Sequence, residues 1–118
     1  MKLNTTKAKS TRQKRVSELI REVAAQMITR ETNGTSLVTV TNVDISPDLK
    51  QCTVYVTVFP EDASDSALNF LKRKRKELKA EVRKKSNMRN VPFFDFDIDQ
   101  GEKNRQKIEE IYLRDQEK

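Results

Sequence analysis

The side chains best equipped to do chemistry in this 118-residue chain are its cations. Lys72, Arg73, Lys74, Arg75 and Lys76 stand in a row, and Lys79, Arg83, Lys84, Lys85 and Arg89 continue the run, with Glu77 and Glu81 between them. Ammonium and guanidinium groups at this density suit a polyanion, because each one that meets a phosphate releases condensed counterions. On a continuous helix, at about 100° per residue, Lys72, Arg73, Lys76, Lys79, Arg83 and Lys84 fall on the side away from Leu71, Leu78 and Val82. Such a strip would track a nucleic-acid backbone. An acidic protein surface is the alternative, and an ordinary solvated face is the bland reading. Solvated faces usually mix signs, and this one hardly does. No aromatic residue stands among these cations and the chain has no tryptophan. The expected mode is therefore recognition of a folded RNA by its shape and phosphates. About six neutralised phosphates would give a slope of log affinity against log salt on the order of −4 to −5.

A second basic cluster opens the chain. Lys2, Lys7, Lys9, Arg12, Lys14 and Arg15 occupy the first fifteen residues without a carboxylate. Arg12 and Arg15 start a helical pattern and read either as a second phosphate contact or as helix-surface charge. The net charge of +6 agrees with an anionic partner.

Other chemistries find little to work with. The chain has no histidine and one cysteine. That excludes Cys/His zinc clusters, histidine acid–base catalysis and an internal disulfide, and it suits a reducing compartment. Cys52 lies in register with Val54, Val56 and Val58 and reads as a small core residue, since no base stands ready to activate it. Asp95, Asp97 and Asp99 invite a metal, but a calcium loop begun at Asp95 would need glycine and glutamate where Gln100 and Gln106 stand. Their alternation with Phe94, Phe96 and Ile98 is that of a half-buried strand. The expectation is a binding protein without catalysis, cofactor or metal. A carboxylate-metal nuclease built on these three aspartates is the enzyme class that competes with it. No run approaches eighteen apolar residues, so no membrane span is expected, and residues 1–15 lack the apolar core of a secretory signal.

The elements that would position the cations follow from periodicity. Residues 1–11 have no apolar pattern and read as a mobile basic arm. Residues 12–115 then form a single domain, and residues 116–118 a short tail. From Arg12, Val16, Ile20, Val23, Met27 and Ile28 recur at three- and four-residue steps, which predicts an amphipathic helix closed by Asn33-Gly34. Two β-rich runs follow, over 37–45 and 52–59. In the first, Thr39, Thr41, Val43 and Ile45 alternate with Val38, Val40 and Asn42. Ser46-Pro47-Asp48 between the runs predicts a turn and an antiparallel hairpin. Pro60 stops the second strand, and a long helical segment covers 63–85. Its apolar stripe of Ala67, Leu71, Leu78 and Val82 finds Lys74 and Arg75 where an apolar residue is due. Either their aliphatic stems snorkel, or the helix is interrupted; interruption is the preferred reading. A third strand over 93–99 and a helix over 103–114 complete an α+β domain with helices on one face of one sheet.

Four pieces of this chain, in order and suitably spaced, resemble the ribosome-binding factor A family. They are Arg15-Val16-Ser17-Glu18-Leu19-Ile20, then Val43-Asp44-Ile45-Ser46-Pro47-Asp48-Leu49-Lys50, then Val54-Tyr55-Val56, and finally Arg89-Asn90-Val91-Pro92 with Phe94, Phe96 and Asp99. The resemblance spans residues 12–111. It implies a type II KH-like fold of order α-β-β-α-β, and an assembly factor that binds the small ribosomal subunit and its rRNA during maturation; for a factor of this size a monomer is the expectation. It implies no small-molecule substrate. The general KH domain clamps a nucleic-acid backbone with a Gly-x-x-Gly loop; Gly34 and Gly101 stand too far apart to form one. The family carries an Ala-x-Gly kink instead, and here that place reads Lys74-Arg75-Lys76. The substitution implies a straighter helix, or binding that relies more on charge than on shape.

The expected RNA contacts are thus Lys72, Arg73, Arg75, Lys76, Lys79, Arg83 and Lys84, supported by Arg12, Arg15 and Arg89. A protein-interaction module is the competing class, with a sheet edge and the basic helix meeting an acidic protein.

Overall fold

A computed structural model describes residues 11–31 and 37–101. Along them run α1 (Thr11–Glu31), β1 (Leu37–Ile45), β2 (Gln51–Phe59), α2 (Ser64–Arg73), α3 (Arg75–Lys85) and β3 (Phe93–Ile98), with a 3₁₀ turn, Glu61–Ala63, leading into α2. The expected basic arm, the Asn33-Gly34 helix stop, the helix over 103–114 and the tail lie outside the described residues, apart from Thr11, which is helical.

α1 forms because its apolar residues share one side. Val16, Ile20, Val23, Ala24, Met27 and Ile28 are all buried, as the periodicity requires. They pack on a three-stranded sheet of order β1-β2-β3. β1 and β2 form the expected antiparallel hairpin, and β3 runs parallel to β2. A parallel neighbour needs a long crossover, and α2 and α3 supply it. One core results. Val40, Val43, Ile45, Cys52, Val54, Val56, Phe94 and Phe96 from the sheet meet the α1 stripe and Leu71, Leu78 and Val82 from α2 and α3.

The alternation expected in β1 does not hold. Val40 and Val43 are both buried, although an odd number of positions separates them. Val40 pairs with Val56 and Asn42 with Tyr55, which leaves Thr41 as an extra residue. A bulge of this kind reverses the inward–outward parity of everything beyond it. The core face therefore reads Val40, Val43 and Ile45. Asn42 Oδ1 accepts the Val43 N–H at 2.9 Å, and the Thr41 hydroxyl donates to Asp99 Oδ2 at 2.5 Å, tying the bulge to the end of β3.

The hairpin turn is heavily cross-linked. Leu49 N–H donates to Ser46 O at 2.9 Å and Ser46 N–H to Gln51 O at 2.9 Å. The Ser46 hydroxyl donates to Asp48 Oδ1 at 2.6 Å, and the Lys50 N–H donates to the same oxygen at 3.0 Å. These bonds hold Leu49 at φ 61°, the left-handed region that a branched side chain avoids.

Candidate nucleic-acid interface

The helical crossover is interrupted, as the gap in the apolar stripe predicted, and the break falls on Lys74. Its N–H donates to Leu71 O at 2.9 Å, closing α2 with a tight turn, and its own carbonyl accepts the Leu78 N–H at 3.0 Å to start α3. Lys74 sits at φ −96° and ψ 8°, a conformation with negative φ that needs no glycine. The break buries both Leu71 and Leu78, which an unbroken helix would have to do across the cationic positions. The absence of the family's glycine therefore does not straighten the element.

Lys74 stabilises this geometry through its side chain. Its Nζ lies 3.3 Å from Glu31 Oε1 at the end of α1 and 3.3 Å from Glu77 Oε1. The ammonium also stands 5.4 Å from the Phe70 ring centroid, within cation–π range. The hydrogen bond from Lys74, seconded by Arg30, holds the Glu31 carboxyl below its ordinary range. Glu31 and then Glu77 raise Lys74 in turn.

These ties sort the expected RNA contacts into two groups. Arg73, Lys76, Lys79, Arg83 and Lys84 are exposed and form no ion pair among the described residues. Within α3, Lys76, Lys79 and Arg83 follow an i, i+3, i+7 spacing on the side away from buried Leu78 and Val82, with Lys84 beside them. Lys72 and Arg75 differ. Lys72 Nζ is 3.9 Å from Asp95 Oδ1 and Arg75 Nη1 is 3.4 Å from the same oxygen, and the Arg75 guanidinium lies 5.5 Å from the Phe93 ring centroid. Asp95 thus draws both toward β3. The expected single strip becomes an outward row on α3, extended by Arg73, plus a pair partly neutralised by the protein's own carboxylate. Of Lys74-Arg75-Lys76, Lys76 alone adds positive charge that is unpaired among the described residues.

The two carboxylates that interrupt the basic run are also engaged internally. Glu81 pairs with the Arg30 guanidinium of α1, and Glu77 pairs with Lys74. Lys85 turns toward α1 and donates to Gln26 Oε1 at 2.9 Å. The three aspartates of β3 and its end have comparable occupations: Asp95 takes Lys72 and Arg75, Asp97 Oδ1 accepts the Ile98 N–H at 2.8 Å, and Asp99 takes Thr41.

Arg12 and Arg89 meet elsewhere. Both line a groove of about 590 Å³ formed by the start of α1, the hairpin turn and the loop from α3 to β3. Lys50 lines it as well, and sequence reasoning missed this residue as a site member: nothing in its spacing connects it to positions 12 and 89. Arg15 is exposed on α1 and does not line the groove.

The topology, the helix broken at a non-glycine position and the cationic outer row together define a KH-like α+β domain in which helix–break–helix replaces the usual glycine loop. Residues 12–112 match the family model described as Ribosome-binding factor A, and the chain belongs to that family. It is 32% identical over 106 residues to ribosome-binding factor A of Thermobifida fusca, covering 87% of this chain and 70% of that one. With the protein of the same name from Rhodopseudomonas palustris it shares 31% identity over 112 residues, covering 91% and 83%. The crystal structure of ribosome-binding factor A from Thermus thermophilus superposes with a TM-score of 0.63 at 27% identity, over 71% of this chain and 91% of that one. Coordinates of the Thermus thermophilus factor fitted into a cryo-electron-microscopy map of its complex with 30S give a TM-score of 0.59 at 28% identity, over 69% and 88%. Among the described residues, no helix is long and apolar enough to cross a membrane.

Proposed function

We propose that this protein binds the small ribosomal subunit through its rRNA during subunit maturation, acting by contact and without catalysis. The observation that carries this reading is the row Lys76, Lys79, Arg83 and Lys84, with Arg73 before it. Its cations stand outward and unpaired among the described residues, while the acidic residues of the same segment are turned to internal partners. A row of free cations on a rigid helix suits phosphates spaced along a folded RNA. Membership of the family and the relative fitted into a 30S complex support the partner. Asp95 and Phe93 hold Arg75 beside the break, so it acts as a positioned second-rank contact, and Lys72, held by Asp95, does the same.

Charge reversal at Arg73→Glu with Lys76→Glu tests the reading. Co-sedimentation with purified small subunits should be lost while the far-ultraviolet circular dichroism stays unchanged. Retained subunit RNA binding, together with loss of an acidic protein partner, would instead identify a protein-interaction module.

A further inference from the structure

The groove between α1, the hairpin turn and the α3–β3 loop lies apart from the α3 row and has different chemistry. Three exposed cations, Arg12, Lys50 and Arg89, reach it from three separate parts of the chain. Its apolar wall is made by Leu49, Met88 and buried Val91. Asn87 and Asn90 supply amides that can both donate and accept. Asp48, the one carboxylate of its lining among the described residues, is held below its ordinary value by the Ser46 hydroxyl and then the Lys50 N–H. It is thus committed to the turn, where it fixes the backbone that presents Lys50. The volume, about 590 Å³, falls within the roughly 300–1,000 Å³ usual for small-ligand sites. The left-handed Leu49 belongs to the same wall, and strained backbone concentrates at binding sites.

The geometry points to a site for one unstacked nucleotide of single-stranded RNA. The base lies against Leu49, Met88 and Val91, the Asn87 and Asn90 amides meet its edge, and Arg12, Lys50 and Arg89 hold the flanking phosphates. Sequence-selective RNA recognition uses splayed-out bases of this kind, hydrogen-bonded at their edges and stacked on aromatic rings or on guanidinium planes. Among the described residues the groove has no aromatic lining, and Arg12 and Arg89 provide the planes. This inference rests on the RNA-binding reading and adds a second mode to it: α3 takes phosphates of structured RNA, and the groove takes a base from an unpaired segment.

The test uses the full chain and three probes: hexaribonucleotides of adenosine, cytidine or uridine, the matching nucleoside 5′-monophosphates, and a blunt RNA duplex. At least one hexanucleotide should bind and shift the NMR signals of the Asn87 and Asn90 side-chain amides and of the Lys50 and Arg89 backbone. Three phosphate contacts to a single strand predict a salt slope of about −2, and Arg89→Ala or Lys50→Ala should each remove about 0.7 of it. Each should also weaken hexanucleotide binding about tenfold, the equivalent of one charge-assisted hydrogen bond, and Lys50→Ala should leave duplex binding unchanged. Because Arg89 and Lys50 are exposed, both variants should fold. Hexanucleotide signals that move along α3 instead would overturn the inference, as would failure of all three hexanucleotides to bind. A monophosphate that binds as tightly as its hexanucleotide would also overturn it, showing a free-nucleotide site. Duplex binding separates the two readings: its loss in Lys76→Ala/Lys79→Ala/Arg83→Ala supports the α3 row whatever the groove does.

Discussion

Replacing Lys76, Lys79 and Arg83 by alanine together should change how binding to a blunt RNA duplex responds to salt. Five cations of the crossover stand unpaired among the described residues: Arg73, Lys76, Lys79, Arg83 and Lys84. With about −0.9 per phosphate contact, the parent protein should show a slope near −4.5. Between 50 and 200 mM salt its affinity should then fall about 500-fold. The triple variant keeps two of the five, so its slope should be near −1.8 and its loss over the same range about 12-fold. Lys72→Ala is the internal control. Its ammonium shares Asp95 with Arg75, so its removal should alter the slope much less than Lys76→Ala does. Fluorescence anisotropy of a labelled duplex at five or more salt concentrations measures all three. Surface positions of this kind shift stability by no more than about 0.5 kcal/mol, and matching thermal melts would show that folding is preserved. A triple variant with the parent slope would refute the reasoning. So would a Lys72→Ala slope reduced as much as that of Lys76→Ala, because the distinction between free and paired cations would then have no physical content.

Leu78, fully buried beneath the outward row, should cost about 2–5 kcal/mol when truncated to alanine, read from urea unfolding, whereas neighbouring Lys79→Ala should stay within about 0.5 kcal/mol. Glu31 titrates from an ordinary value of 4.5 that folding lowers. Its contribution to stability is complete above that value and is lost as the pH falls through the depressed one. Glu31→Gln should flatten this acid limb in melts between pH 6 and about pH 3. Lys74 runs the other way: folding raises it from 10.5, so its contribution is complete below that value and disappears as the pH rises through the raised one, a limb that Lys74→Gln should abolish. Deleting Thr41 should leave Val43 and Ile45 opposite Val54 and Cys52, since the residue is surplus to the pairing. Amide exchange protection across β1 and β2 should persist, while the Thr41 hydroxyl's ties to Asp99 and to the Tyr55 carbonyl should be lost.

What could be read from the chain is what short-range periodicity encodes. The α1 stripe, the Ser46-Pro47-Asp48 turn and the third strand all announce themselves within a few residues, and each is found where the pattern put it. The break in the crossover was legible for the same reason, because the stripe of Leu71, Leu78 and Val82 lacks an apolar residue at Lys74 or Arg75, the turn where a straight helix would need one. The bulge was not. Val38, Val40, Thr41 and Val43 suit either face of a strand, and the pairing partners across the sheet, not β1 itself, decide which residue is surplus.

The site was legible in charge and illegible in pairing. Periodicity assigns Lys72 to the outer side of a helix, but the carboxylate that claims it is Asp95, on a strand that only the crossover brings alongside. Lys74, read as the place where the apolar stripe fails, is also the lysine that joins α1 to the break through Glu31. Lys50 reaches its groove because a turn held by Ser46 and Asp48 projects it toward residues far away in sequence. The formal charge of a segment is therefore an upper bound on what it can offer a polyanion. A cation paired at 3–4 Å with its own protein's carboxylate must exchange that partner for a phosphate, and gains only the difference between the two. A free one displaces nothing but water and counterions. On this ground we expect the row on α3 to outrank the run before it, and Lys76, Lys79 and Arg83 to outrank Lys72 and Arg75 as contacts, though all five looked equal as letters.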